Sequence, residues 1–237
     1  MQQRPFSCCR FVTLLSIIVV NTACVARTSV TNSPASAQPA FEKDIQAFEA
    51  ADRKSPPPQH AILFVGSSSI RLWKTLPEDF PSITLINRGF GGSTIPDNIR
   101  YARRIITPCN PRQIVFYAGD NDLASGATPR QVLADFQSFV KTVRTDLPDV
   151  PDLPIDFIAI KPSPSRWRLA DKIKQANALI QAYARQTPAV SYIDVFTPIL
   201  SSDGSPREDL FLADNLHLNR KGYTLWADII RPHLRLR

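Results

Sequence analysis

Three consecutive hydroxyls, Ser67, Ser68 and Ser69, follow a short apolar run and one glycine in the stretch FVGSSSIRLW (64–73). A serine hydroxyl becomes a useful nucleophile only with a general base to take its proton, a carboxylate to orient that base, and donors for the oxyanion. The chain has three histidines, so the choice of base is narrow. His60 lies in a proline-rich approach to the first apolar run, and His233 follows Pro232 near the end of the chain; both read as solvent-exposed. His217 sits in FLADNLHLNRKGY, three residues after Asp214. A D-x-x-H spacing brings a carboxylate within reach of one imidazole nitrogen, which fixes the tautomer and leaves the other nitrogen free to act as base. The residue types leave open which of the three serines would be the nucleophile.

The elements that must position these groups follow from the hydrophobic pattern. AILFV (61–65), ITLIN (83–87), QIVFYAG (113–119), IDFIAI (155–160) and VSYIDV (190–195) are short continuous apolar runs, the pattern of buried parallel strands. Helical spacing is clear in FEKDIQAFEAADR (41–53), and helix-sized segments cover about 96–106, 129–146, 168–186 and 220 onward. Thr128, Pro129 and Gln131 form a helix-start signal that predicts a capping box, and Pro232 should end or kink the last helix. Strands alternating with helices predict a doubly wound parallel sheet covered on both faces, with any site outside the carboxyl ends of the strands. GSSS, NRGFGGST and GDND each follow the end of a predicted strand, and so does KPSPSRW (161–167).

Four blocks, FVGSSS, NRGFGGS, GDND and DNLH, occur in that order and at those positions relative to the strands. On them the chain resembles the SGNH hydrolases, also called the GDSL family of esterases and acylhydrolases, over about residues 60 to 236. The resemblance implies a flavodoxin-like three-layer α/β/α fold with a five-stranded parallel sheet. It implies Ser68 as nucleophile with Asp214 and His217 completing the triad, and an oxyanion hole formed by Ser68, Gly92 and Asn121. The family's first block commonly reads G-D-S, whereas here the acidic position is Ser67; what this changes is the bracing of the turn around Ser68. Gly89 and Gly91 read as requirements of a tight turn. Asp122 reads as structural, and Arg71 and Trp167 as candidate walls of the substrate pocket.

Other chemistries fit less well. GFGGST lacks the lysine of a phosphate loop and the spacing of a dinucleotide fingerprint, no His, Cys or carboxylate cluster has metal-ligand spacing, and no cofactor is expected. The formal charge of +7 is scattered, with no basic stripe carrying interleaved aromatics, so nucleic acid is not an expected partner. At 43% hydrophobic and 21% charged, the composition is that of an ordinary globular domain.

The start of the chain reads differently. Arg4 and Arg10 precede the apolar FVTLLSIIVV (11–20) and the small-residue NTACVA (21–26). This is the pattern of a secretory signal over residues 1–26, too short to span a bilayer. Cleavage before Cys24 would leave a lipidated membrane tether, although Asn21 departs from the usual lipobox; simple cleavage fits equally. Residues 27–40 read as a flexible tether, and 41–237 as the hydrolase domain, which retains only Cys109 and so has no internal disulfide. The expected protein is an exported serine esterase acting on small acyl or O-acetyl esters of lipids or glycans. The alternative is a noncatalytic, envelope-tethered glycan- or lipid-binding module on the same scaffold.

Overall fold

Residues 40–235 are described by a computed structural model; the signal segment, Cys24 and nearly all of the tether fall outside these residues. The five apolar runs form the strands β1 (Ile62–Gly66), β2 (Leu85–Gly89), β3 (Gln113–Tyr117), β4 (Ile155–Ile158) and β5 (Val190–Ile193). They make one parallel sheet in the order β2-β1-β3-β4-β5, the three-layer arrangement expected. The helices are α1 (Glu42–Lys54), α2 (Ser68–Arg71), α3 (Leu76–Asp79), α4 (Ile95–Ile105), α5 (Asp120–Ala124), α6 (Pro129–Asp146), α7 (Ala170–Gln186), α8 (Phe196–Ile199) and α9 (Arg220–Ile230).

Neighbouring residues of a strand point to opposite faces, and β3 shows how both faces are covered. Phe116 stacks on Phe139 of α6 at 4.1 Å between ring centroids. Tyr117, one residue later, meets Trp226 of α9 at 5.1 Å. Trp226 in turn lies in an aromatic cluster with Trp73 and Tyr223. Trp73 and Trp226 are thus core residues, at 1% and 0% exposure. Each such ring contributes roughly 2–3 kcal/mol by leaving water, and Cys109 is a buried free thiol, so among the described residues the fold rests on this packing.

Several boundaries differ from those predicted, each for a physical reason. The second strand runs two residues later than its apolar run, because Asn87, Arg88 and Gly89 pair with Phe64, Val65 and Gly66 of β1. Arg88 is accommodated there by an ion pair to Asp52 at 2.5 Å and by the Phe48 ring 5.0 Å away. The start of α6 is only half of a capping box: Thr128 accepts from the Gln131 amide, but the Gln131 side chain turns to Asp135. The complete box is at α4, between Thr94 and Asp97. α9 stops at Ile230, and Pro232 lies in the short 3-10 turn that follows.

The register positions the polar clusters. Gly66 is level with Gly89 on one side and Tyr117 on the other, so β2, β1 and β3 end together as neighbours. The loops carrying Ser68, Gly92 and Asn121 therefore start side by side.

Candidate active site

The turn that presents Ser68 is imposed by Gly66, whose φ is +140°. A Cβ at that position would lie 1.9 Å from the Tyr117 carbonyl oxygen, so only glycine lets β1 and β3 approach this closely. The Ser67 amide donates to that same carbonyl at 2.9 Å, and the Phe90 amide donates to the Gly66 carbonyl. Ser68 then stands at the first position of α2, where a helical N–H has no partner within its own helix. Ser67 is buried, and among the described residues its hydroxyl has no hydrogen-bond partner. The position that is usually acidic in the resembling family is here a small hydroxyl enclosed by the core. The bracing comes from backbone bonds and from Tyr223, whose hydroxyl donates to the Ser69 carbonyl.

Ser68 and His217, 149 positions apart, meet with Oγ and Nε2 3.0 Å from each other. On the other side of the ring, Nδ1 lies 2.6 Å from Asp214 Oδ2. The second carboxylate oxygen, Oδ1, accepts from the Leu216 and His217 amides at 2.9 and 3.0 Å. One side chain thus holds both the shape of the loop and the orientation of the imidazole. Burial acts to raise the Asp214 pKa, but the His217 amide and ring and the Leu216 amide outweigh it and bring it down to about 2. With Nδ1 donating to this carboxylate, Nε2 is the acceptor that faces Ser68. The loop is seated on α9 through Asn219, which caps that helix and also donates to the Asp209 and Phe211 carbonyls. His60 and His233 are exposed.

Gly92 adopts φ +86°, a left-handed conformation that disfavours other residues, and a Cβ there would meet only the edge of Phe41, at 3.8 Å. Phe41 directly precedes α1, which Arg104 of α4 holds through Glu42 and Glu49. Asn121 lies in α5 and donates from Nδ2 to the carbonyl of Ser93, the residue after Gly92, at 3.0 Å. The amide therefore has one N–H engaged on the Gly92 loop and one left over. Asp122, next in the chain, accepts from the Ile95 amide at the start of α4. Burial raises its carboxyl to about 6, only partly opposed by that bond.

Of the candidate pocket residues, Arg71 is exposed at the end of α2 and lies directly against Gly91, so it borders the Gly92 loop. Trp167 is half-buried with the Lys174 ammonium 5.8 Å from its ring centre, and no hydrogen bond or ring contact connects it to Ser68 or His217 among the described residues. A set of residues that motif reading missed lies behind Asn121. Arg166 donates to Asn121 Oδ1 at 2.9 Å and pairs with Asp120 at 3.0 Å. Asp120 also pairs with Lys161 at 3.3 Å, and Lys161 donates to the Tyr117 hydroxyl. Burial lowers the Lys161 pKa; Asp120 is also subject to burial, but Lys161 and Arg166 overcome it and keep the carboxyl low. Two cations in KPSPSRW, directly after a buried strand, were the available signal: ammonium and guanidinium groups at such a position require a buried anion.

The comparisons with known proteins agree with the fold and with the family that the sequence resembles. The GDSL-like Lipase/Acylhydrolase family matches residues 65–225. The human platelet-activating factor acetylhydrolase IB subunit alpha1 is 26% identical over 182 residues, covering 73% of this chain and 74% of that protein. Among solved structures, a GDSL-like lipase from Bacteroides thetaiotaomicron superposes with a TM-score of 0.67 at 19% identity, covering 80% of this chain and 96% of the other. A carbohydrate esterase family 3 protein from Talaromyces cellulolyticus gives 0.57 at 16% identity, covering 73% and 94%. The chain belongs to the GDSL-like lipase/acylhydrolase family and is a hydrolase acting on ester bonds.

Proposed function

We propose that Ser68 is the nucleophile of a serine esterase in which His217 is the general base and Asp214 orients it. The observation that carries this reading is the unbroken chain Ser68 Oγ, His217 Nε2, His217 Nδ1, Asp214 Oδ2, with separations of 3.0 and 2.6 Å. As Oγ attacks the ester carbonyl, its proton passes to Nε2 and the carbonyl electron pair moves onto oxygen. The amides of Ser68 and Gly92 and the free Nδ2–H of Asn121 receive that oxyanion. Collapse of the tetrahedral intermediate expels the alcohol, which takes the proton from His217. Water, deprotonated in turn by His217, then releases the carboxylic acid and restores Ser68.

The substrates in this reading are short acyl or O-acetyl esters, in keeping with relatives named as an acetylhydrolase and a carbohydrate esterase. The exposure of His217 and Asp214, whose side chains are 21% and 47% accessible, leaves room for a bulky alcohol portion on that side. We place the protein outside the cytoplasm, on the strength of Arg4, Arg10 and the apolar 11–20 segment. The test is hydrolysis of p-nitrophenyl esters of increasing chain length and of O-acetylated glycans by the wild type and by Ser68→Ala. Hydrolysis that favours acetyl and is lost in the variant is expected. A folded wild-type protein that binds glycans or lipids without cleaving any ester would make it a binding module instead, and turnover retained by Ser68→Ala would overturn the assignment of the nucleophile.

A further inference from the structure

An oxyanion donor works only if its N–H already points at the charge before the charge develops, and a side-chain amide can rotate away unless something holds it. Asn121 is held at both ends by groups of opposite character. Its Nδ2 donates to the Ser93 carbonyl at 3.0 Å and its Oδ1 accepts from Arg166 Nη2 at 2.9 Å. A flipped amide would set oxygen against carbonyl and NH2 against guanidinium, so the two neighbours together select one orientation.

Arg166 is fixed in turn. Its Nη1 lies 3.0 Å from Asp120 Oδ2, and the side chain is only 19% accessible. Asp120 is shared with Lys161, which is 1% accessible. Asp120 thus lies between two basic side chains, in a buried cluster where water screens their interactions little. A charged donor on the amide oxygen also polarises the amide and strengthens its N–H as a donor. The same segment reaches the other side of the site, because the Ser165 amide donates to the carbonyl of Asn215, between Asp214 and His217.

We propose that Arg166 is a positioning residue for the oxyanion hole: anchored on Asp120, its guanidinium clamps the Asn121 carbonyl so that the free N–H faces the developing oxyanion. The proposal rests on the reading of Asn121 as an oxyanion donor. Arg166 touches no reacting atom in it and acts through Asn121 alone.

This predicts a signature that a merely structural arginine would not give. Arg166→Met should lower kcat for p-nitrophenyl acetate by about tenfold or more, less than the 10²- to 10³-fold typical of losing a donor outright, with KM changed by less than about twofold. Arg166→Lys keeps the charge but not the fork that reaches Asp120 and Asn121 together, and should fall between wild type and Arg166→Met. In an Asn121→Ala background, Arg166→Met should cost less than about a further twofold, because the group it positions is gone. Thermal melts accompany each variant, and if Arg166→Met does not fold the same cycle is run with Arg166→Lys. Wild-type kcat in the Arg166 variant, or the same factor lost in both backgrounds, would overturn the clamp. If Asn121→Ala loses 10²-fold or more while Arg166→Met is silent, the oxyanion reading stands and only the clamp falls. If Asn121→Ala itself keeps wild-type turnover, both fall.

Discussion

The two sides of the site are built in different ways. The Asp214–His217 side is one loop, in which a carboxylate 47% accessible orders its own neighbours and the imidazole through bonds spanning two or three residues. The Asn121 side is assembled from the loops after two adjacent strands, with Asp120 and Lys161 at 7% and 1% side-chain exposure. A base that carries protons between hydroxyl, alcohol and water benefits from being open to solvent, and local bonds are enough to orient it. An oxyanion donor gains from rigidity and low screening, which only burial provides. The exposed pair should therefore matter for turnover and little for stability, and the buried cluster should matter for both.

The largest effect that can test this contrast is Ser68→Ala or His217→Ala, each expected to lower kcat on p-nitrophenyl acetate by about 10⁴-fold or more with the melting temperature nearly unchanged. Asp214→Asn should cost roughly 10³-fold in kcat by presenting the wrong tautomer to Ser68, while chemical denaturation shifts by less than about 1 kcal/mol. A large stability loss in that variant would erase the distinction between the two sides. Lys161→Met should do the reverse in proportion, destabilising by roughly 3 kcal/mol because it leaves Asp120 short of a buried partner, and Asp120→Asn in the same chain should recover part of that loss.

The smallest effect is a matter of pH. The Asp122 carboxyl is raised from its ordinary 3.8 to about 6, so the folded state holds this proton more tightly than the unfolded chain does. Its contribution is fully present below about pH 4 and is lost as pH rises through about 6. Asp122→Asn should flatten the decline in melting temperature over that window, worth roughly 1–3 kcal/mol. Asp214 has the opposite sign. Its pKa lies below the ordinary value, so what it contributes is present above about pH 4 and is lost as pH falls through about 2. An unaltered pH slope in Asp122→Asn would show that this carboxyl is not held as described.

Much of this is legible in the sequence alone. Short, mostly apolar runs located all five strands, because a parallel strand buried on both faces is built largely of apolar residues. The edge strand was displaced by two residues because Arg88 reads as a loop residue until Asp52 and Phe48 are brought beside it. The capping box moved from α6 to α4 because the Gln131 side chain has a competing partner one turn ahead in Asp135. Trp167 reads as a pocket wall because KPSPSRW follows the fourth strand at the same sheet edge; in the fold its ring packs against the core with the Lys174 ammonium 5.8 Å from its centre.

What the sequence determined by itself is the local chemistry: the D-x-x-H loop, the glycine turns and the strand order of the blocks, since each depends on spacing within a few residues or on burial pattern. Which groups face each other across the site was decided by the tertiary structure alone. The meeting of Ser68 with His217, and of Arg166 with Asn121 and Asp120, joins residues 149, 45 and 46 positions apart. Such contacts are set by sheet register and by how helices pack on both faces, and a one-dimensional pattern does not record them.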